Sequence, residues 1–215
     1  MKGKEDIMVR KKLLHGIGIN DVAYRVVVTK EYPKKPNGTR DRRQVWKCPY
    51  YSKWEGMLRR AAYTKYKKKH PTYEKCTVCE EWKTFSNFIA WVDAQPDTEW
   101  GSKDLDKDFI IEGNKFYSPE TCVFIHSNVN KFILDNASCR GEYLIGVFKH
   151  KDGRAKPFKA SCRDPLMRNT SGIGHYSTEI EAHNAWKICK HGYALELAER
   201  ELDERVKHVL RTRYL

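Results

Sequence analysis

The sequence predicts an α+β fold in two parts, and three patterns predict it. An acidic strand, a turn, an apolar strand and a helix follow one another between residues 104 and 130. Two helices with apolar stripes precede them, and a run of short strands closing on one amphipathic helix comes after. The first part is expected to span residues 1–137 and the second 138–215.

The central segment is DLDKDFIIEGNKFYSPETCVFIHSNVN, from Asp104 to Asn130. Asp104, Asp106 and Asp108 alternate with Leu105 and Lys107, so an extended backbone sets three carboxylates on one face. Crowding like charges is unfavourable, and a divalent cation relieves it. The alternative is an exposed edge strand with solvated carboxylates. Gly113-Asn114 marks a turn, Cys122-Val123-Phe124-Ile125 a short buried strand, and the polar residues beyond it open a helix that carries Asn130.

Upstream, Tyr24 to Val28 has strand composition, whereas Lys30 to Arg43 is Lys, Arg, Pro, Asn and Gly without an apolar period. That stretch is expected to be an exposed basic loop, lying along a phosphate backbone or simply facing water. Trp54, Met57, Leu58 and Ala61 recur at i, i+3, i+4 and i+7, the stripe of a helix that begins near Tyr51. Its other faces carry Lys53, Arg59 and Arg60, and Pro71 ends the basic run after it. Trp82, Phe85, Phe88, Ile89, Trp91 and Val92 make a second helix suited to packing on Trp54.

Between these helices lies Cys76-Thr77-Val78-Cys79. A CxxC brings two thiols close enough to share zinc, which needs two further ligands; Cys48 and Cys122 are the candidates, with His70 a lesser one. Buried reduced thiols are the alternative.

From Tyr143 the pattern changes. Tyr143 to Phe148 is expected as a strand, Lys151-Asp152-Gly153-Arg154 as a hairpin turn, Pro157 to Cys162 as its partner, and Gly174-His175-Tyr176 as a third strand. Thr178 and Glu181 form a capping box, and Ala182, Ala185, Trp186, Cys189 and Tyr193 form the stripe of the helix that follows. The helix is expected to continue through Leu202, Val206 and Leu210.

Charge narrows the partners. Residues 1–75 hold 21 Lys and Arg against 7 acids, residues 76–137 hold 5 against 11, and residues 138–215 hold 15 against 10. Basic flanks attract polyphosphate while an acidic centre retains a cation. No apolar run approaches the roughly 20 residues that cross a bilayer. The N-terminus MKGKEDIMVRKKLL has no apolar run with a cleavage site, and the seven cysteines are odd in number, so a cytosolic protein with reduced thiols is expected.

The central segment resembles the HNH, or His-Me finger, endonucleases, above all the phage and intron-encoded homing enzymes. Asp106-Lys107 stands where that family has Asp-His, Gly113-Asn114 is its turn, Phe124-Ile125 its second strand and Asn130 its helix ligand. The resemblance implies a ββα-metal core, Mg²⁺ held by Asp106 and Asn130, and a base that activates water. Lys107 departs from the pattern at the base position, which leaves Lys107, Glu120 and His126 as candidates, with Asp108 part of the catalytic group. Residues Cys139 to Ala198 are similar to the plant ethylene-response-factor type of DNA-binding domain, which phage homing endonucleases also carry. Gly146-Val147, Arg163-Asp164-Pro165, Gly174-x-Tyr176 and Glu181-Ala182-x-x-Ala185-Trp186 carry that likeness. It implies a sheet in the major groove with Arg163 on a base-reading position, although Phe148 stands where the family often has Arg. Lys149, Lys151, Arg154, Lys159 and Arg168 are the phosphate contacts. A metal-dependent endonuclease acting on double-stranded DNA is therefore expected, from a phage and at work in the bacterial cytoplasm. A DNA-binding regulator that has lost catalysis and an RNA-binding zinc protein are the alternatives.

Overall fold

The computed structural model describes residues 13–134 and 141–215. In chain order its elements are β1 (Val27–Tyr32), β2 (Asp41–Lys47), α1 (Pro49–Ala62), α2 (Thr64–Lys69), β3 (Thr77–Val78), α3 (Phe85–Asp93), β4 (Asp104–Asp106), β5 (Phe116–Tyr117), β6 (Val123–Ile125), α4 (Ser127–Ile133), β7 (Val147–Lys149), β8 (Phe158–Arg163), β9 (Thr170–Tyr176), α5 (Glu179–Ala198) and α6 (Glu204–Thr212). Helices mixed with small sheets make this an α+β protein. Among the described residues no helix is long and apolar enough to cross a membrane.

The chain folds as two compact units that interleave along the sequence. The described residues of Met1–Gly101 with Gly113–Cys122 form the first, and those of Ser102–Glu112 with Val123–Leu215 form the second. The expected boundary at 137/138 lies outside the described residues.

In the first unit Trp54, Met57, Leu58 and Ala61 are buried along α1, as their spacing requires. The Trp54 ring lies 4.9 Å from that of Phe85, and its indole N–H donates to the Trp82 carbonyl at 2.6 Å. Fully burying such side chains contributes roughly 1.5–3 kcal/mol each, which makes this aromatic cluster the unit's anchor. The parallel pair β3 and β5 closes over it, with the Arg60 guanidinium donating to the buried Tyr117 hydroxyl at 2.9 Å. The basic stretch from Lys30 to Arg43 is an exposed loop only over residues 33–40; its two ends belong to an antiparallel ribbon, in which Val27 pairs with Lys47 and Tyr32 with Asp41.

In the second unit β4 pairs antiparallel with β6. Phe109, Val123, Ile125, Val129 and Phe132 share one core with Ala194, Leu197, Ala198, Val206 and Leu210. The strand–strand–helix segment is thus packed on α5 and α6. Lys103, at the threshold of β4, forms a buried ion pair of 2.9 Å with Glu201 between those helices. The C-terminal helix is not continuous: α5 ends at Ala198, and Asp203 caps a separate α6 by accepting the Arg205 backbone N–H at 2.9 Å. A cap residue favours a new start over propagation, and the turn folds Val206 and Leu210 back into the core.

The sheet β7-β8-β9 is antiparallel and lies on α5, with Ala160 and Cys162 buried on its inner side and Ala182 and Trp186 buried on the helix. Thr178 and Glu181 make the reciprocal capping box at the start of α5. Gly146, just before β7, has φ +82°, and a Cβ there would overlap the Trp186 indole. Both the backbone conformation and the contact require glycine. Gly146→Ala is expected to cost more than about 2 kcal/mol. Thermal unfolding reads this as a fall of roughly 4 °C or more; an unchanged midpoint would show that the indole does not seat there.

Candidate functional site

Asp106 is the last residue of β4 and stands opposite Val123. Directly opposed residues share a sheet face, so Asp106 rises on the side where Val123 joins Val129 and Phe132 of α4. Asn130, half-buried, is carried by the same helix. The Asp106 Oδ1 accepts the backbone N–H groups of Asp108 at 2.8 Å and Phe109 at 2.7 Å. This small Asx turn ends the strand. Burial first, and then the neighbouring charge of Asp108, push the Asp106 carboxyl up to about 6.

The three aspartates do not share one strand face. β4 stops at Asp106, and Asp108 lies in the turn that Asp106 itself caps. Asp104 is exposed. The acidic centre is thus a pair, Asp106 with Asp108. Two carboxylates are hard oxygen donors, and Mg²⁺ takes one or two protein carboxylates while keeping waters or phosphate oxygens. The donor set fits such an ion.

Of the groups considered as a base, Lys107 is 5 % exposed and its ammonium lies 3.1 Å from Asp108. That ion pair suits Lys107 to positioning Asp108. His126 sits at the junction of β6 and α4, half-exposed, and its carbonyl accepts the Asn130 backbone N–H at 3.0 Å. The helix begins after it, so the imidazole is that of a cap position. Glu120 belongs to the first unit, is exposed, and is held ionised by the Ser118 hydroxyl.

The expected phosphate and base contacts fall in two places on the second unit. Arg163, at the end of β8, and Arg168 line a cleft of about 270 Å³ together with Lys131 of α4 and Lys190 of α5. The Lys190 ammonium donates to the Phe132 carbonyl at 2.6 Å and lies 3.6 Å from the Phe132 ring centre; burial lowers its pKa to about 8. Lys131 and Lys190 belong to no basic run in the sequence and are brought to the cleft by the fold. Lys149, Lys151 and Arg154 line a shallower hollow on the β7–β8 hairpin with His150. Arg154 is engaged there by the Asp152 carboxylate, with 2.8 Å from Nε to Oδ1, and so is committed to shaping the turn. Phe148, Lys159 and His175 sit across from one another on adjacent strands and share the sheet side that also bears no helix.

Cys48, Cys76, Cys79 and Cys122 are all buried free thiols of the first unit. Burial pushes the Cys79 thiol up to about 11, the opposite of what a thiolate ligand requires. Among the described residues no three His, Cys, Asp or Glu side chains gather as a metal-binding group. No known protein family, curated protein or solved structure matches the chain. The functional reading therefore rests on the residues themselves.

Proposed function

We propose that the protein hydrolyses phosphodiester bonds of double-stranded DNA with a divalent cation, Mg²⁺ first among them, held by Asp106 and Asn130 in a ββα-metal unit of the HNH kind. One observation carries the reading. A largely buried carboxylate, tied through one oxygen to two backbone N–H groups and crowded by a second carboxylate, ends the strand that pairs with β6, whose Val123 shares a core with Val129 and Phe132 of the helix that carries Asn130. Such a group is unfavourable when ionised in the bare protein, and a cation relieves that cost.

When bound, the cation stabilises negative charge developing on the phosphate. The chain's own residues do the rest. The Asx turn orients Asp106, Asn130 presents a neutral amide oxygen, and Lys107 holds the Asp108 carboxylate in place. His126, at the cap of the helix that carries Asn130, takes the proton from the attacking water as its oxygen bonds to phosphorus and the P–O bond to the leaving sugar oxygen breaks. The β7-β8-β9 sheet follows the major groove, with Arg163 toward base edges and Lys149, Lys151, Lys159 and Arg168 toward phosphates. On this reading the protein is a phage homing-type enzyme of the bacterial cytoplasm.

A second reading, a DNA-binding regulator without catalysis, is favoured by the buried Lys107 at the place of the family's histidine. Relaxation of supercoiled plasmid separates the two. With Mg²⁺ or Mn²⁺ the native protein is expected to nick, and Asp106→Asn, Asn130→Ala and His126→Ala to lose at least about a hundredfold in rate. Duplex binding without nicking under Mg²⁺, Mn²⁺ and Zn²⁺ would leave only the regulator.

A further inference from the structure

The β1–β2 ribbon has no part in the site above, and its surface is unusual for a structural hairpin. Of its strand residues only Asp41 is buried. A lone two-stranded ribbon is marginal in water, and an open ribbon needs only a few charges to keep its edges from pairing with another chain. Here residues 25–47 hold eight Lys and Arg against two acids. Among the described residues Lys30, Lys34, Lys35, Arg40 and Arg42 make no ion pair, whereas Asp41 is taken by Arg43 at 2.5 Å. The positive charge is therefore left for something outside the ribbon.

The register shows how that charge is displayed. Val28 pairs with Trp46, Lys30 with Arg43 and Tyr32 with Asp41, so these share one face. Tyr32 lies between the Lys30 ammonium, 5.7 Å from its ring centre, and the Arg43 guanidinium at 4.8 Å. Val28, Tyr32 and Trp46 on that face are each between 38 % and 45 % exposed, and Val45, at the register shift, is 52 % exposed. On the opposite face Arg42 donates to the Thr29 hydroxyl at 2.8 Å. The tip is ordered too: the Asn37 side chain accepts the Thr39 backbone N–H at 3.1 Å, and Gly38 adopts φ +77°. A stiff ribbon that alternates cations with flat aromatic rings, bare on its outer face, is shaped for a polyanion with apolar groups between its charges.

We infer that the β1–β2 ribbon is a second DNA-binding element, one that enters the major groove of double-stranded DNA with the Lys30, Tyr32, Arg43 and Trp46 face toward the bases and the cations of its tip against phosphates. The major groove of B-form DNA, about 12 Å wide, admits a two-stranded ribbon, whereas that of an RNA duplex is too deep and narrow for side chains to read. The inference rests on the DNA reading of the preceding section but not on cleavage, and it is tested without metal.

The experiment is equilibrium binding of the full chain in EDTA to a mixed-sequence duplex of roughly 30 base pairs, about three turns, over a salt series. The native protein is compared with Lys34→Gln/Lys35→Gln/Arg40→Gln, which removes three exposed cations of the tip without breaking an ion pair. Each lost phosphate contact lowers the steepness of log K against log [salt] by about 0.9, so a fall of about 2 to 3 is expected, with at least roughly tenfold weaker binding at low salt. Trp46→Ala, measured alongside, is expected to weaken binding while leaving the salt slope unchanged. Unchanged affinity and slope in the triple variant would overturn the ribbon and leave the sheet as the DNA reader. Equal competition by an RNA duplex of the same sequence would overturn the groove assignment. Native protein that binds duplex DNA but fails to nick plasmid would remove the nuclease and leave the ribbon standing.

Discussion

Asp106→Asn is expected to fold more stably than the native protein at neutral pH and to cut no DNA. The amide keeps the acceptor that the Asp108 and Phe109 backbone N–H groups require, so the turn ending β4 survives. What disappears is a carboxylate whose ionisation burial and Asp108 oppose. The native carboxyl titrates near 6, against 3.8 for the ordinary aspartate. Between those values the folded protein holds a proton that the unfolded chain has released, so native stability falls as pH rises through that window and is lowest above 6. The penalty the variant escapes is on the order of 1–3 kcal/mol above pH 6 and vanishes below pH 4. Denaturant unfolding at pH 4 and pH 7.5 measures it: equal midpoints at the acid end and a higher variant midpoint at the neutral end are expected. Adding Mg²⁺ should reverse the order, since a ligand that binds only the native fold stabilises in proportion to ln(1 + [L]/Kd) and the variant has lost its charged ligand. A variant no more stable than the native protein at pH 7.5 would refute the strained carboxylate, and with it the site's main support.

Glu201→Gln is expected to be the most damaging single-atom change in the second unit. Its carboxylate and the Lys103 ammonium are each at most 3 % exposed. Neutralising one member of a buried pair costs about 3–5 kcal/mol. Replacing both by apolar residues of similar length, Lys103→Met/Glu201→Met, is expected to restore most of the loss, because the desolvation of two ions disappears with them. Urea midpoints of the single and double variants test this, and a double variant no better than Glu201→Gln would mean that the pair does more than neutralise itself. Because Lys103 immediately precedes β4, the single variant should also lose cleavage through displacement of Asp106, while the double variant keeps it.

The helices and turns were the most legible parts of the sequence. Trp54, Met57, Leu58 and Ala61 recur with helical period because one side of α1 is buried and the other is not. The box of Thr178 and Glu181 and the turn at Gly153 are local chemistry, visible within a few residues. The β1–β2 ribbon escaped for the converse reason: strands that bury neither face leave no alternation in the sequence. The break before α6 was hidden because Val206 and Leu210 continue the apolar period of α5, and only the capping carboxylate of Asp203 marks a restart. At the acidic centre, spacing placed Asp106 on a strand but not at its end, which depends on which N–H groups that same carboxylate captures. The burial of Lys107, and the partnership of Lys103 with a glutamate 98 residues away, belong to tertiary structure and have no local sign.

The apolar floor beneath the acidic centre comes partly from far along the chain: Val123, Ile125 and Phe132 are shut off from water by Leu197, Val206 and Leu210. A nascent polypeptide that has emerged only to residue 140 holds every carboxylate and amide assigned to chemistry, yet lacks the scaffold that keeps them in register. On the proposed reading, hydrolytic competence would therefore arrive late in translation, after α6 has docked.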